Sequence, residues 1–115
     1  MARSDMTEAG YSPSVRLFEA AACATPIISD YWPGLETFFE PDREILIASN
    51  KDEVLRYLTS VPDSERKKLG DRARARVLKH HTSDHRALEL ERLVNTVRER
   101  SHLVARDQVI ERALA

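Results

Sequence analysis

A single cysteine, Cys23, among 115 residues excludes an intrachain disulfide framework and an all-cysteine zinc site. Glycine numbers only 3 and proline 5, which excludes a collagen-like or Gly/Pro-rich disordered chain. No apolar run approaches the roughly 20 residues needed to span a bilayer. The opening Met1-Ala2-Arg3-Ser4-Asp5 lacks the apolar core of a signal peptide. A cytoplasmic protein without a membrane span is therefore expected. Walker-type phosphate loops, nucleophile motifs, internal repeats and low-complexity segments are also missing.

What remains is 42% hydrophobic and 32% charged residues in 13.1 kDa, enough for one core of modest size. The net charge of -1 hides an asymmetry. Residues 1–62 hold 5 Lys/Arg against 10 Asp/Glu, whereas residues 63–115 hold 13 against 9. Acidic side chains interleave with the basic ones of the second half. Its cluster of Arg66, Lys67, Lys68, Arg72, Arg74, Arg76 and Lys79 therefore reads as a solvated helix face, and no nucleic-acid partner is expected.

Ser12 as N-cap and Pro13 at the first helical position predict a helix over Ser14–Cys23, apolar at Val15, Leu17, Phe18, Ala21 and Ala22. The β-branched run Pro26–Asp30 reads as a buried strand, Leu35–Phe39 as one helical turn, and Glu44–Ala48 as a second strand. Asn50 caps a helix over Lys51–Ser60 with Val54, Leu55 and Leu58 on one face. Asp63 or Ser64 caps the next, which runs to about His81 with Leu69, Ala73 and Val77 inward. Thr82-Ser83-Asp84 breaks the chain before a long helix from near His85. Its stripe is Leu90, Val94, Val97 and Val104, extended by Ile110 and Leu114. Helix–strand–helix–strand–helix is the order of a βαβ unit with a parallel sheet. The expected class is α/β: a partial Rossmann-like sheet of few strands, flanking helices and a helical C-terminal tail.

Three blocks then resemble one family: Gly10-Tyr11-Ser12-Pro13-Ser14-Val15-Arg16-Leu17-Phe18-Glu19-Ala20, Cys23-Ala24-Thr25-Pro26-Ile27-Ile28-Ser29-Asp30, and Gly34-Leu35-Glu36. Together they are similar to the donor-binding domain of GT-B glycosyltransferases of group 1, most of all its spore-maturation CgeB-like branch. Glu44-Ile45-Leu46, Arg76-Val77-Leu78, His81-Thr82 and His85-Arg86 follow the same pattern, so the likeness runs over residues 3–95. It implies a single domain over residues 1–115, the C-terminal portion of a donor-binding domain. Residues 1–81 would form its α/β part and 82–115 its helical segment. The acceptor-binding domain and the first strands would be lacking, and the partner would be a second copy or an N-terminal domain on another chain.

The implied ligand is a nucleotide-sugar donor, bound without metal or further cofactor. In such a domain the diphosphate lies at a helix N-terminus, here Ser12, Ser14, Val15 and Arg16. Glu19 stands where the family's glutamate accepts from the ribose hydroxyls. Asp30 and Tyr31 at the end of the first strand, and Gly34, Leu35 and Glu36, would shape the sugar pocket. No catalytic residue is assigned, because Tyr11 replaces the first of the two glutamates that many group 1 enzymes carry. Ala24 stands where glycine is usual after the helix. Read without the family, Glu19 pairs with Arg16 on the helix surface, Trp32 fills the core or an interface, and His81 and His85 are separated by the break. The alternative function is a non-catalytic interaction module dimerising through the C-terminal helix.

Overall fold

The structure, a computed structural model, describes residues 13–115. It divides into two compact units, up to His81 and from Thr82 to Ala115. Helix α1 spans Val15–Ala22, strand β1 Ile28–Ser29, helix α2 Leu35–Phe38, strand β2 Leu46–Ile47, helix α3 Lys51–Ser60, helix α4 Asp63–His80 and helix α5 Ser83–Leu114. The two strands run parallel, with Ile28 beside Leu46 and Ser29 beside Ile47. The Leu46 N–H donates to the Ile27 carbonyl at 3.0 Å and the Ala48 N–H to the Ser29 carbonyl at 2.9 Å. This is the expected partial α/β fold: a small two-stranded parallel sheet, flanking helices and a long C-terminal helix.

Helix α1 begins two residues later than Ser12-Pro13 predicts. Ser14 occupies the N-cap in extended geometry, and Pro13 precedes it. Ser12 lies outside the described residues. The C-terminus of α1 closes in a Schellman motif: the Ala24 N–H donates to Ala21 and the Thr25 N–H to Ala20, at 2.9 and 3.0 Å. Ala24 fills the position glycine usually takes and is held at φ 56°. Its backbone meets α4 at Gly70, where a Cβ would lie 2.0 Å from the Ala24 carbonyl oxygen. Only glycine admits that approach, and it seats α4 on α1.

Ala21, Leu35, Phe39, Ile45 and Ala73 are fully buried, joined by Trp32 and Val77. Phe18 extends this core by ring contacts to Phe38 and Phe39 at 5.7 and 5.9 Å between centroids. The inward positions of α4 are Leu69, Ala73 and Val77, as their spacing predicts. Its N-cap is Pro62, one residue before Asp63, so neither Asp63 nor Ser64 caps it. On α3, Glu53, Val54 and Tyr57 are half-buried; Leu55 and Leu58 are exposed, contrary to the apolar count. Tyr57 turns inward because its hydroxyl donates to the Ile47 carbonyl at 3.1 Å.

The second unit is α5 with its cap. Thr82 is the N-cap, its hydroxyl accepting from the His85 N–H, and His85 reaches back to the Thr82 N–H. This reciprocal box sets the helix start at Ser83, two residues before His85. Unbroken over 32 residues, α5 carries the stripe through Leu90, Val94, Val97 and Val104. Ile110 and Leu114 do not extend it. At about 100° per residue they fall on the far side of the helix from Leu90.

Candidate functional site

Parallel strands collect their carboxyl ends along one edge, and ligands of open α/β sheets bind there. A cleft of about 690 Å³ lies at that edge. Its rim brings together Ser14 and Arg16 from the start of α1, Ser29 and Asp30 from the end of β1, and Ser49, Asn50 and Lys51 from the turn between β2 and α3. Its apolar lining comes from Leu17, Ala20, Ile27, Ile28, Trp32, Ala48 and Val54. The volume suits a small organic ligand.

The two helix starts that flank the cleft differ in electrostatics. At α3, Asn50 Oδ1 accepts from the Glu53 N–H at 2.9 Å, and the Glu53 carboxylate accepts from the Ser49 N–H at 2.7 Å. Asp52 and Glu53 add two carboxylates to the first turn. That end is already capped and offset by negative charge. At α1 the Ser14 hydroxyl makes no capping bond, and the first turn contains no acidic residue. The Val15 and Arg16 N–H groups have no helical acceptor by position. Neither Arg16 nor Lys51 forms an ion pair among the described residues. An anion in the cleft therefore finds its donors at α1, with Lys51 as a second cation across the opening. Asp30 supplies the only carboxylate among the described residues of the lining. The Ser29 hydroxyl donates to the Asp30 carbonyl at 2.9 Å.

Of the residues singled out in the sequence, Ser14, Arg16 and Asp30 share the cleft. Val15 contributes its backbone position beside them, and its side chain is exposed. Glu19 is exposed on α1, on a flank of the helix outside the lining. Tyr31 is exposed and turned away from the cleft lining. The Gly34–Glu36 turn lies outside it as well. There Gly34 adopts φ 97°, the Leu35 N–H donates to the Trp32 carbonyl at 3.1 Å, and the Leu35 side chain is fully buried. Trp32 is only 3% exposed and belongs to the core, as expected, with one edge on the cleft lining.

Ser29, Ser49 and Lys51 were not singled out by the sequence reading. Their signal was available: each stands at the carboxyl end of a parallel strand or in the turn leading from it. Among the described residues, no group of His, Cys, Asp and Glu is placed to hold a metal ion. The basic face of α4 is largely tied up locally. Arg66, Lys67 and Lys68 pair with Asp63, Asp71 and Glu65, and Arg76 pairs with the half-buried Glu44 at 2.9 Å. No helix among the described residues is long and apolar enough to cross a membrane.

A family model described as Glycosyl transferase-like matches residues 2–92, which include the whole lining of the cleft. No curated protein and no solved structure matches the chain.

Proposed function

Given that the chain belongs to the Glycosyl transferase-like family, we propose that its cleft binds the nucleotide-sugar donor of glycosyl transfer. The α/β unit is, on this reading, the C-terminal portion of a GT-B donor-binding domain of the CgeB-like kind. The observation that carries the proposal is the asymmetry of the two helix starts. An uncapped α1 without first-turn carboxylates, with Ser14 and Arg16 beside it, faces a cleft at the carboxyl edge of a parallel sheet.

In this arrangement the diphosphate sits at the start of α1. The Ser14 hydroxyl and the Val15 and Arg16 N–H groups donate to its oxygens, and the Arg16 guanidinium supplies a charged fork. Lys51 neutralises the second phosphate. Asp30 accepts from hydroxyls of the sugar, since an ionised carboxylate takes two such bonds at once. The apolar lining receives the carbon face of the ligand. Glu19, on the same helix beyond the lining, takes the ribose where it projects from the cleft. Donor binding needs none of the absent first glutamate at Tyr11.

Thermal-shift titration with UDP, GDP and ADP and their sugar conjugates tests this. A donor at a hundred times its dissociation constant stabilises the folded chain by about 2.7 kcal/mol. Arg16→Ala should weaken that donor by about tenfold or more, the value of one hydrogen bond to a charged group. Lys67→Ala, on the paired face of α4, should leave it unchanged. Stabilisation by no nucleotide, or a shift that Arg16→Ala leaves intact, refutes the assignment.

A further inference from the structure

Helix α5 leaves its apolar side chains in solvent. Leu90, Val94, Val97 and Val104 are 63%, 47%, 63% and 55% exposed. Their spacing is four, three and seven residues, a 3.5-residue period rather than 3.6, the repeat of a left-handed coiled coil. With Leu90 at position d of the heptad, the a and d positions from Ala87 to Gln108 contain no charged residue, and Glu111 at the next d position ends the apolar seam. Every Asp, Glu and Arg in that stretch falls at c, e, f or g. Two polar residues, Ser101 and Gln108, occupy a positions.

We propose that α5 pairs with α5 of a second copy as a parallel, in-register two-stranded coiled coil. Charge is complementary in the parallel, in-register pair. In the parallel pair each g residue faces the e residue five positions on in the other helix. Arg86 then faces Glu91 and Asp107 faces Arg112, each pair occurring twice by symmetry. Arg86 also holds Glu89 of its own helix at 2.7 Å, so the guanidinium sits between two carboxylates. The remaining g–e contacts, Leu93 with Arg98 and Arg100 with Ala105, oppose no like charges. Turned antiparallel with the same residues overlapping in full, Arg98 would meet Arg98 and Arg100 would meet Arg100. The polar core positions agree. In the parallel pair Gln108 meets Gln108 and Ser101 meets Ser101, so each finds a hydrogen-bonding partner. Antiparallel layers would set Gln108 against Leu90 and Ser101 against Val97, burying amide and hydroxyl among apolar groups.

Sedimentation equilibrium of the full chain tests the pairing, with Trp32 fluorescence reporting that the first unit stays folded. The chain is expected to be a dimer at micromolar concentration. Val97→Lys with Val104→Lys should give a monomer. Leu103→Lys, equally exposed but off the seam, should leave the dimer intact. Asp107→Arg should weaken association by about tenfold, and adding Arg112→Asp should restore it. A chain monomeric at every concentration, or a dimer indifferent to Val97→Lys with Val104→Lys, overturns the proposal. So does a dimer that Leu103→Lys abolishes. A dimer lost on the seam variants yet indifferent to Asp107→Arg overturns the parallel register.

Discussion

Replacing Gly70 by alanine sets two effects of opposite sign against each other. Gly70 lies in the interior of α4, where helix propensity alone makes alanine better by about 1 kcal/mol. The packing says otherwise. A Cβ at residue 70 would stand 2.0 Å from the Ala24 carbonyl oxygen, 2.7 Å from its carbon and 3.4 Å from the Pro26 nitrogen. All three are backbone atoms, so no rotamer change relieves them. Either α4 withdraws from α1 by about 1 Å or the Ala24 peptide, already in the left-handed region, must turn. A gap of that size forfeits roughly a quarter to a half of each dispersion contact along the seam, where Leu69, Ala73 and Val77 are at most 5% exposed. Overpacking of this kind costs about 1–3 kcal/mol and occasionally more, and an immovable backbone places it at the upper end. The net expectation for Gly70→Ala is a loss of about 2 kcal/mol after the propensity gain, or about 10 °C in Tm for a unit of this size. Urea unfolding followed by the buried Trp32 reads it directly. A variant equal to or more stable than the parent would show that propensity prevails and that the close approach does not exist.

Three further outcomes follow from features on the page. Ala24→Gly should stabilise the first unit by about 1 kcal/mol, because φ 56° is strained for alanine and free for glycine; thermal melts read the gain. Lys51→Ala should weaken donor binding less than Arg16→Ala does, since the helix start beside Lys51 is already capped and flanked by Asp52 and Glu53; the same titration compares them. The hydrogen bond and charge of Lys68 hold the Glu65 carboxyl below its ordinary value. A lowered carboxylate adds stability above its unfolded pKa and loses it as the pH falls through its folded value. Lys68→Ala should therefore move the Glu65 titration upward, as followed by NMR of its side-chain carboxyl carbon.

Much of the fold was legible where a residue type is tied to one backbone geometry. The run Ile27-Ile28-Ser29 behind Pro26 marked β1, and Asn50 marked the start of α3. Ala24 was legible as the occupant of a glycine position. Leu69, Ala73 and Val77 were legible because α4 buries one narrow stripe. Features set by tertiary contact were not. Tyr57 outranks Leu55 and Leu58 for burial because a backbone carbonyl of β2 waits for its hydroxyl. Gly70 looks like a weak point in a helix until Ala24 is placed against it. In the candidate site, Ser14, Arg16 and Asp30 were legible through the resemblance, which reads one helix and one strand end. Ser49 and Lys51 follow from the expected parallel sheet, since they lie in the turn after β2, but none of the blocks that carry the resemblance includes that turn. Ile110 and Leu114 follow Val104 by six and ten residues, about 240° and 280° round the helix, so they lie off a stripe that looked continuous in the sequence.

The two short strands also set the order in which this chain folds. Pairing Ile28 with Leu46 closes a loop of 18 residues, and seating Gly70 on Ala24 closes one of 46. The larger loop costs only about 0.8 kcal/mol more to close, but a ladder two residues long cannot hold its ends until that larger loop is shut as well. The first unit must cross a barrier with both closures made together, at the pace of non-local contacts. Helix α5 closes no loop within its own chain: its turns form within microseconds, and pairing with a second copy follows at a rate set by concentration. Refolding from denaturant therefore restores helical ellipticity in two steps: an early one from α5 and a later one that coincides with the burial of Trp32.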